Sequence, residues 1–198
     1  MIINCLLAGV GGQGTVLASK LIAQTALQQG LQVRTSETIG MSQRGGCVAS
    51  HVRLGDKVYS PLIPLAGADL VIGFEPAEAL RYLPYLKPDG VMIVSTTAIK
   101  PVSDSLAKTD YRGEDMLEAL RAHVQRLVVL DGNAIITACG SPKVLNTALL
   151  GAAAEAGVLG FGPAALEETL RAMLPAKYLT MNLNALHVGA LAYRKGEY

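Results

Sequence analysis

The feature that most constrains this chain is a glycine-rich hexapeptide directly after an apolar run at the N-terminus. Residues 9–14 read GVGGQG and follow the apolar segment at 2–8. A short apolar run that ends in glycine and leads into helical periodicity is typical of a buried strand, a tight turn and a helix. Glycines there allow a sharp turn and a close approach of backbone N–H groups to an anion. The turn residues that we assign to a ligand cleft or an interface are Gly9, Gly11, Gly12, Gln13 and Gly14.

Strand-like and helix-like segments alternate along the chain until about residue 143. Apolar runs predict buried strands at residues 31–36, 69–74, 91–95 and 127–130. Helical periodicity predicts helices at 17–27, 76–86 and 115–124, and only helices from 143 onward, at 143–156, 164–173 and 177–193. Alternation at 47–54, a turn at 55–56 and a partner at 57–60 predict an antiparallel hairpin.

These segments predict one domain, residues 1–198, with a helical tail from about 143 to 198. The expected fold class is α/β: a three-layer Rossmann-like domain with a mostly parallel sheet, an antiparallel hairpin addition and the helical C-terminal tail. A chain of 198 residues is long enough to bury one full hydrophobic core.

Composition narrows the expected partners. The 17 basic and 16 acidic residues nearly cancel, which does not favour a nucleic acid or a charged membrane surface. Charged residues make up only 17% of the chain, so we expect one face to be buried against another protein. No leader sequence or membrane-length apolar run is visible, and a cytoplasmic location is expected. Cys5, Cys47 and Cys139 are far apart, which favours reduced thiols and argues against an iron–sulfur cluster held by this chain alone.

A second constellation follows the second predicted strand. It consists of Gln43, Arg44, Gly45 and Gly46. Loops after successive parallel strands open at one sheet edge, so Arg44 is expected near the glycine turn. Its guanidinium suits a carboxylate or a phosphate, and an interface or structural role is the alternative.

Two carboxylates complete the list of candidates at this edge. Glu75 ends a predicted strand, where it suits the dipole of the following helix and could also face the cleft. Glu37 is the acidic residue that a dinucleotide site would need for the ribose, but we expect it in a loop beyond its strand.

No catalytic set follows from residue spacing. His51 lies in a strand pattern without a second histidine or carboxylate at ligand spacing, which favours a structural role. Cys47 is interpreted as a small strand residue, with a reactive thiol as the alternative. We therefore assign no catalytic residue and no metal ligand to this chain.

Four motifs in fixed order resemble one known family. They are G-x-G-G-Q-G at residues 9–14, Q-R-G-G at 43–46, S-P-x-I-P at 60–64 and F-E-P-x-E-A-x-R at 74–81. In this order they resemble the gamma-type subunits of the 2-oxoacid:ferredoxin oxidoreductases, over roughly residues 1–100 and more loosely through the helical tail. The segments 36–46 and 74–81 lean toward the indolepyruvate (arylpyruvate) branch, whose corresponding chain is called the beta subunit, rather than the pyruvate/ketoisovalerate branch.

The resemblance implies a subunit of a complex that oxidatively decarboxylates a 2-oxoacid to an acyl-CoA and reduces ferredoxin. It implies no cofactor on this chain: thiamine diphosphate, Mg and 4Fe-4S clusters are expected on a larger partner subunit, and coenzyme A is a co-substrate of the complex. The isolated chain is expected to be inactive, and a homodimer is compatible with its low charge. The alternative function is a free-standing NAD- or flavin-binding oxidoreductase that uses the same glycine turn.

Overall fold

The computed structural model describes residues 1–40, 45–100 and 110–195. The strands are β1 (Ile2–Val10), β2 (Gln32–Ile39), β3 (Cys47–Gly55), β4 (Ala68–Gly73), β5 (Leu86–Ser95) and β6 (Arg126–Leu130). The α-helices of these residues are α1 (Thr15–Gln28), α2 (Pro76–Arg81), α3 (Gly113–His123), α4 (Gly132–Cys139), α5 (Leu145–Glu155), α6 (Pro163–Met173) and α7 (Ala176–Lys195). Short 3₁₀ turns occupy Leu83–Tyr85 and Pro142–Val144.

All six strands belong to one sheet, in the order β2-β3-β1-β4-β5-β6. β1, β4, β5 and β6 are paired in parallel. β3 is antiparallel to both of its neighbours, β1 and β2. The predicted α/β architecture, with a mostly parallel sheet and an antiparallel addition, is therefore confirmed.

Alternate residues of β1 face two separate cores. Cys5 and Leu7 join the core beneath α1, α5, α6 and α7. Leu6 and Ala8 join the core beneath α2 and α3. Because side chains alternate along a strand, the continuous apolar run Cys5–Ala8 is buried on both faces of the sheet. Helices thus cover both sides of the sheet, which gives the three predicted layers.

The C-terminal helices pack tightly enough to require glycine. A Cβ atom added at Gly151 of α5 would lie 2.0 Å from the carbonyl oxygen of Leu186 on α7. A Cβ atom at Gly189 of α7 would lie 1.8 Å from the carbonyl oxygen of Ala148 on α5. The backbones of the two helices are therefore in contact. The predicted helical tail is confirmed.

The partner predicted for the antiparallel hairpin was wrong. Residues 57–60 form no strand, and β3 pairs instead with β2, from Gln32 opposite Gly55 to Ile39 opposite Val48. The long β2 offers β3 a full row of ladder hydrogen bonds, which a four-residue segment cannot match. As a consequence Glu37 lies within β2 and not in a loop beyond it.

Several boundaries also differ from the sequence prediction. The helix expected over 76–86 ends at Arg81 and continues as the 3₁₀ turn Leu83–Tyr85. The strand expected at 91–95 begins earlier, so that residues 88–90 lie inside β5, where the register with β4 shifts. Helix α4 was not predicted, because Asp131 and Gly132 indicate a turn as readily as a helix start.

Candidate functional site

The glycine turn joins β1 to α1 and is held by the side chain of Gln13. Its Oε1 accepts a hydrogen bond from the backbone N–H of Val10 at 2.8 Å. Its Nε2 donates to the carbonyl oxygen of Phe74 at 2.8 Å, just beyond β4. Gln13 therefore links the ends of two adjacent parallel strands. Its role is to fix the shape of the turn.

Three glycines of the turn are required by geometry, two by their backbone conformation and one by a close contact. Gly12 and Gly14 have φ values of +103° and +81°, which L side chains rarely adopt. A Cβ atom at Gly9 would lie 2.9 Å from the Cβ atom of Phe74. Gly14 also faces Asn146, whose Nδ2 donates to the carbonyl oxygen of Gly14 at 3.4 Å.

The second predicted motif is brought beside the first. The N–H of Gly11 donates to the carbonyl oxygen of Gly46 at 2.8 Å, and the N–H of Gly45 donates to the carbonyl oxygen of Gly11 at 3.4 Å. Gln43 and Arg44 lie outside the described residues. The expected convergence of the two loops is therefore observed for the glycine pair that follows Arg44.

A cavity of about 300 Å³ opens beside the turn at the carboxyl end of the sheet. It is lined by Gly11, Gly12, Gln13, Thr97, Ile99, Ile136, Pro142 and Leu145. The N-terminus of α1, just behind the turn, has no side-chain cap and no acidic residue in its first turn. The partial positive charge of this helix end is therefore not offset by the helix itself, which favours an anionic group nearby.

Glu75 is buried and organises the edge of the sheet next to this cleft. It is the N-cap of α2: its Oε2 accepts a hydrogen bond from the N–H of Glu78 at 3.0 Å, and Pro76 occupies the first helical position. Its Oε1 accepts from the N–H of Ile99 at 3.4 Å and from the hydroxyl of Tyr111. Residues on both sides of the segment 101–109 are thus tied to one carboxylate.

The electrostatics of this cluster follow from burial. Burial raises the pKa of the Tyr111 hydroxyl, and its hydrogen bond to Glu75 raises that pKa further. Burial also raises the pKa of Glu78, and Arg81, with its Nε 3.3 Å from Oε2, partly offsets this effect. The same Nε of Arg81 donates a hydrogen bond to the other oxygen, Oε1, at 3.4 Å, whereas Oε2 of Glu78 has no hydrogen-bond donor.

The arrangement around Glu37 differs from a dinucleotide site. In the dinucleotide fold the acidic residue ends the strand adjacent to the one that precedes the glycine turn. Here β3 lies between β1 and β2, which separates the two strands by about 10 Å. The Oε1 of Glu37 also accepts a hydrogen bond from Oγ of Ser19 at 3.1 Å. The carboxylate is therefore engaged with α1 and does not fit the ribose role.

His51 has a structural environment. Its Nδ1 accepts a hydrogen bond from the N–H of Ile63 at 3.2 Å, and its ring meets the edge of Tyr85 at 5.8 Å between centroids. Burial lowers the pKa of this histidine, which keeps the imidazole neutral and Nδ1 free to accept. Cys47 is half-buried at the start of β3.

Sequence reasoning named neither Thr97 nor Asn146 as residues of the site. Thr97 follows β5 and lines the cavity. Asn146 contacts Gly14 although it lies 132 positions further along the chain. The Ser95-Thr96-Thr97 run at the end of an apolar strand is a signal that could have indicated Thr97. No local signal points to Asn146.

No group of three or more His, Cys, Asp or Glu side chains in residues 1–40, 45–100 and 110–195 is placed to hold a metal ion. Within the same ranges, no helix combines the length and the apolar character needed to cross a bilayer.

Comparison with known sequences shows the family to which the chain belongs. A sequence profile described as "Pyruvate ferredoxin/flavodoxin oxidoreductase" matches residues 4–192. The chain belongs to this family. The resemblance stated from the four motifs is thereby confirmed.

Two relatives from different branches of the family differ in their identity to this chain. The chain is 38% identical over 190 residues to the indolepyruvate oxidoreductase subunit IorB of Archaeoglobus fulgidus, covering 96% of this chain and 94% of the relative. It is 29% identical over 150 residues to the pyruvate/ketoisovalerate oxidoreductases common subunit gamma of Pyrococcus abyssi, covering 75% of this chain and 74% of the relative.

Solved structures share the fold. Pyruvate oxidoreductase subunit PORC of Thermotoga maritima superposes with a TM-score of 0.71 at 21% identity, over 96% of each chain. A 2-oxoglutarate:ferredoxin oxidoreductase of Magnetococcus marinus gives a TM-score of 0.73 at 18% identity, over 98% of this chain and 31% of the other. In the second case the same fold is one part of a longer polypeptide.

Proposed function

We propose that this chain is the small subunit of a thiamine-diphosphate-dependent oxidoreductase that transfers electrons from indolepyruvate, or another arylpyruvate, to ferredoxin. The observation that carries the proposal is the 38% identity to an indolepyruvate oxidoreductase subunit over 96% of the chain. The pyruvate/ketoisovalerate gamma subunit reaches only 29% over 75%. We therefore propose an aromatic 2-oxoacid, rather than pyruvate or 2-ketoisovalerate, as the substrate.

The proposed reaction is the oxidative decarboxylation of a 2-oxoacid, with the cofactors on the larger subunit. The bond between the carbonyl carbon and the carboxylate breaks, CO₂ leaves, and the acyl group forms a thioester with the sulfur of coenzyme A. The electrons released reduce ferredoxin, and the thiol proton goes to solvent. Thiamine diphosphate and Mg are assigned to the larger subunit. The 4Fe-4S clusters are assigned there as well, since Cys5, Cys47 and Cys139 lack the close spacing that a cluster requires.

We assign the glycine turn and the neighbouring loop to the face that meets the substrate or the larger subunit. The residues concerned are Gly9, Gly11, Gly12, Gln13, Gly14, Gln43, Arg44, Gly45 and Gly46, and Glu75 supports this face from within the fold as the buried N-cap of α2. Three observations support this choice: the hydrogen bonds that join Gly11 to Gly45 and Gly46, the cavity beside the turn, and the open N-terminus of α1. The ligand would be an anionic group of coenzyme A or of the 2-oxoacid, and a carboxylate of the larger subunit is the alternative.

Reconstitution tests the proposed function. The chain is purified alone and also co-expressed with the thiamine-binding large subunit encoded in the same genome. Viologen reduction is then measured with coenzyme A and with indolepyruvate, pyruvate or 2-ketoisovalerate. We expect activity only in the complex, with the highest kcat/KM for indolepyruvate. Equal turnover by the isolated chain would overturn the subunit role, and a preference for pyruvate would overturn the substrate.

A further inference from the structure

An irregular segment carries an unusual set of exposed apolar side chains. Residues 57–67, here called the strap, connect β3 to β4 on the side of the sheet that α2 and α3 cover. Within the strap, the side chains of Val58 and Ile63 are buried. Tyr59, Leu62 and Leu65 are exposed by 87%, 58% and 67% and follow one another at intervals of three residues.

Hydrogen bonds to side chains of the sheet hold the strap in place. Nη1 of Arg53 donates to the carbonyl oxygens of Ser60 and Leu62, at 3.0 and 3.2 Å. Nε of Arg53 donates to Oδ1 of Asn4 at 2.8 Å, and Nδ2 of Asn4 donates to the carbonyl oxygen of Gly67 at 2.8 Å. The middle and the end of the strap are therefore fixed to β1 and β3.

Further contacts fix the strap to the neighbouring elements. The N–H of Ile63 donates to His51, and the N–H of Ala66 donates to the carbonyl oxygen of Pro84 at 2.9 Å. Pro61 and Pro64 restrict the backbone between these points. The exposed side chains thus stand on a pre-organised backbone, which lowers the entropy lost when a partner binds.

The area of this surface argues for a large partner rather than a second copy of the chain. Tyr59, Leu62 and Leu65 expose roughly 400 Å², if about 150–250 Å² is taken for each large side chain. Two such patches face to face would bury about 800 Å², less than the roughly 1,200 Å² typical of a specific interface. A larger protein can extend its contact from the strap across the adjoining 3₁₀ turn Leu83–Tyr85.

We propose that the strap is a docking surface for the larger, thiamine-binding subunit, an inference that rests on the proposed function. Tyr59, Leu62 and Leu65 insert into an apolar surface of that subunit. Lys57 is the single charged residue of the strap, so an acidic group is expected at the rim of the partner's surface.

The test uses the full-length chain and the co-expressed large subunit. Leu62→Asp and Leu65→Asp are compared with Leu27→Asp, a matched control at a 53% exposed leucine of α1, on the opposite face of the sheet. Binding is measured by surface plasmon resonance, folding by circular dichroism, and the mass of the isolated chain by light scattering. We expect the two strap variants to raise Kd by about 30-fold or more, the size of an interface hot spot, and the control to bind like the wild type.

The possible outcomes distinguish the docking surface from the proposed function. Strap variants that bind as the wild type does would overturn the docking surface and leave the proposed function standing. Failure of the wild type itself to bind the large subunit would overturn both. An isolated dimer that the strap variants convert to a monomer, with the complex intact, would assign the surface to a second copy. If a strap variant fails to fold, Tyr59→Ser at the most exposed of the three positions replaces it, with the same criterion.

Discussion

Replacing Gly14 with alanine should destabilise the fold through two separable effects. At φ +81° the residue is in the left-handed region, which costs a residue with a Cβ atom about 1–2 kcal/mol. The new Cβ atom would also lie 2.6 Å from Nδ2 and 3.1 Å from Cγ of Asn146. That side chain is buried, and its Oδ1 accepts a hydrogen bond from the N–H of Thr147 at 2.9 Å, so it cannot easily move aside.

The expected magnitude combines strain and steric overlap. Overpacking of a buried site costs typically 1–3 kcal/mol, so we expect Gly14→Ala to lower the free energy of unfolding by about 3 kcal/mol in total. For a chain of this size, that loss corresponds to a fall in Tm of roughly 6–12 °C. Urea unfolding followed by circular dichroism measures the free energy, and a thermal scan measures Tm.

Gly30 offers a matched control for the backbone strain. Its φ of +78° is almost the same, but an added Cβ atom would have no neighbour within 4 Å. Gly30→Ala should therefore cost only the strain of about 1–2 kcal/mol. Equal unfolding free energies for Gly14→Ala and Gly30→Ala would refute the role of Asn146. A Gly14→Ala/Asn146→Ala double mutant should show coupling between the two sites, because removing the amide relieves the overlap.

Four further results are expected. His51 has a pKa below its ordinary value of 6.5, so as the pH falls the unfolded chain binds the proton before the folded chain does. The free energy of unfolding should therefore decrease as the pH drops below about 6.5. His51→Asn, which keeps an acceptor for the N–H of Ile63, should remove this component of the pH dependence in urea unfolding. Glu75→Gln should lower the free energy of unfolding in urea by about 1–3 kcal/mol, since the amide group presents a donor where the carboxylate accepts. Tyr111→Phe should lower it by less. An unchanged urea midpoint for Glu75→Gln would contradict the N-cap role. Nicotinamide cofactors should bind weakly or not at all in calorimetry, and a dissociation constant near 1 μM, about −8 kcal/mol, would contradict the interpretation of the glycine turn. If Arg44 holds a ligand, Arg44→Lys should raise KM for one substrate of the assembled complex. If Arg44 anchors the interface, the same change should weaken binding to the larger subunit by about 2 kcal/mol. Wild-type behaviour in both assays would exclude both roles.

Local sequence patterns determine the elements that meet at the site. The apolar run of β1, the glycines of the turn and the helical periodicity of α1 are contiguous, and short-range sterics and side-chain alternation are enough to define them. Glu75 followed by Pro76 is likewise a local signal for a helix start, which the structure confirms. The order of the four motifs was sufficient to indicate the family.

Strand pairing could not be obtained from the same patterns. Alternation in β3 indicates which side chains share a face, but it does not indicate which strand lies beside it. The choice of β2 over residues 57–60 depends on a ladder of hydrogen bonds that forms only in the folded sheet. Because β3 pairs with β2, Glu37 lies within a strand, and β3 stands between β2 and β1.

The sequence by itself therefore determined the class of fold, the glycine turn and the family, because each depends on residues that are close together in the chain or on the order of motifs. Tertiary structure alone decided the position of β3 between β1 and β2, the contact of Asn146 with Gly14, and the exposure of Tyr59, Leu62 and Leu65. The physical reason is that a residue's neighbours and its exposed area are set by segments far away in the chain. Those segments come together only when the two cores and the sheet form as a unit.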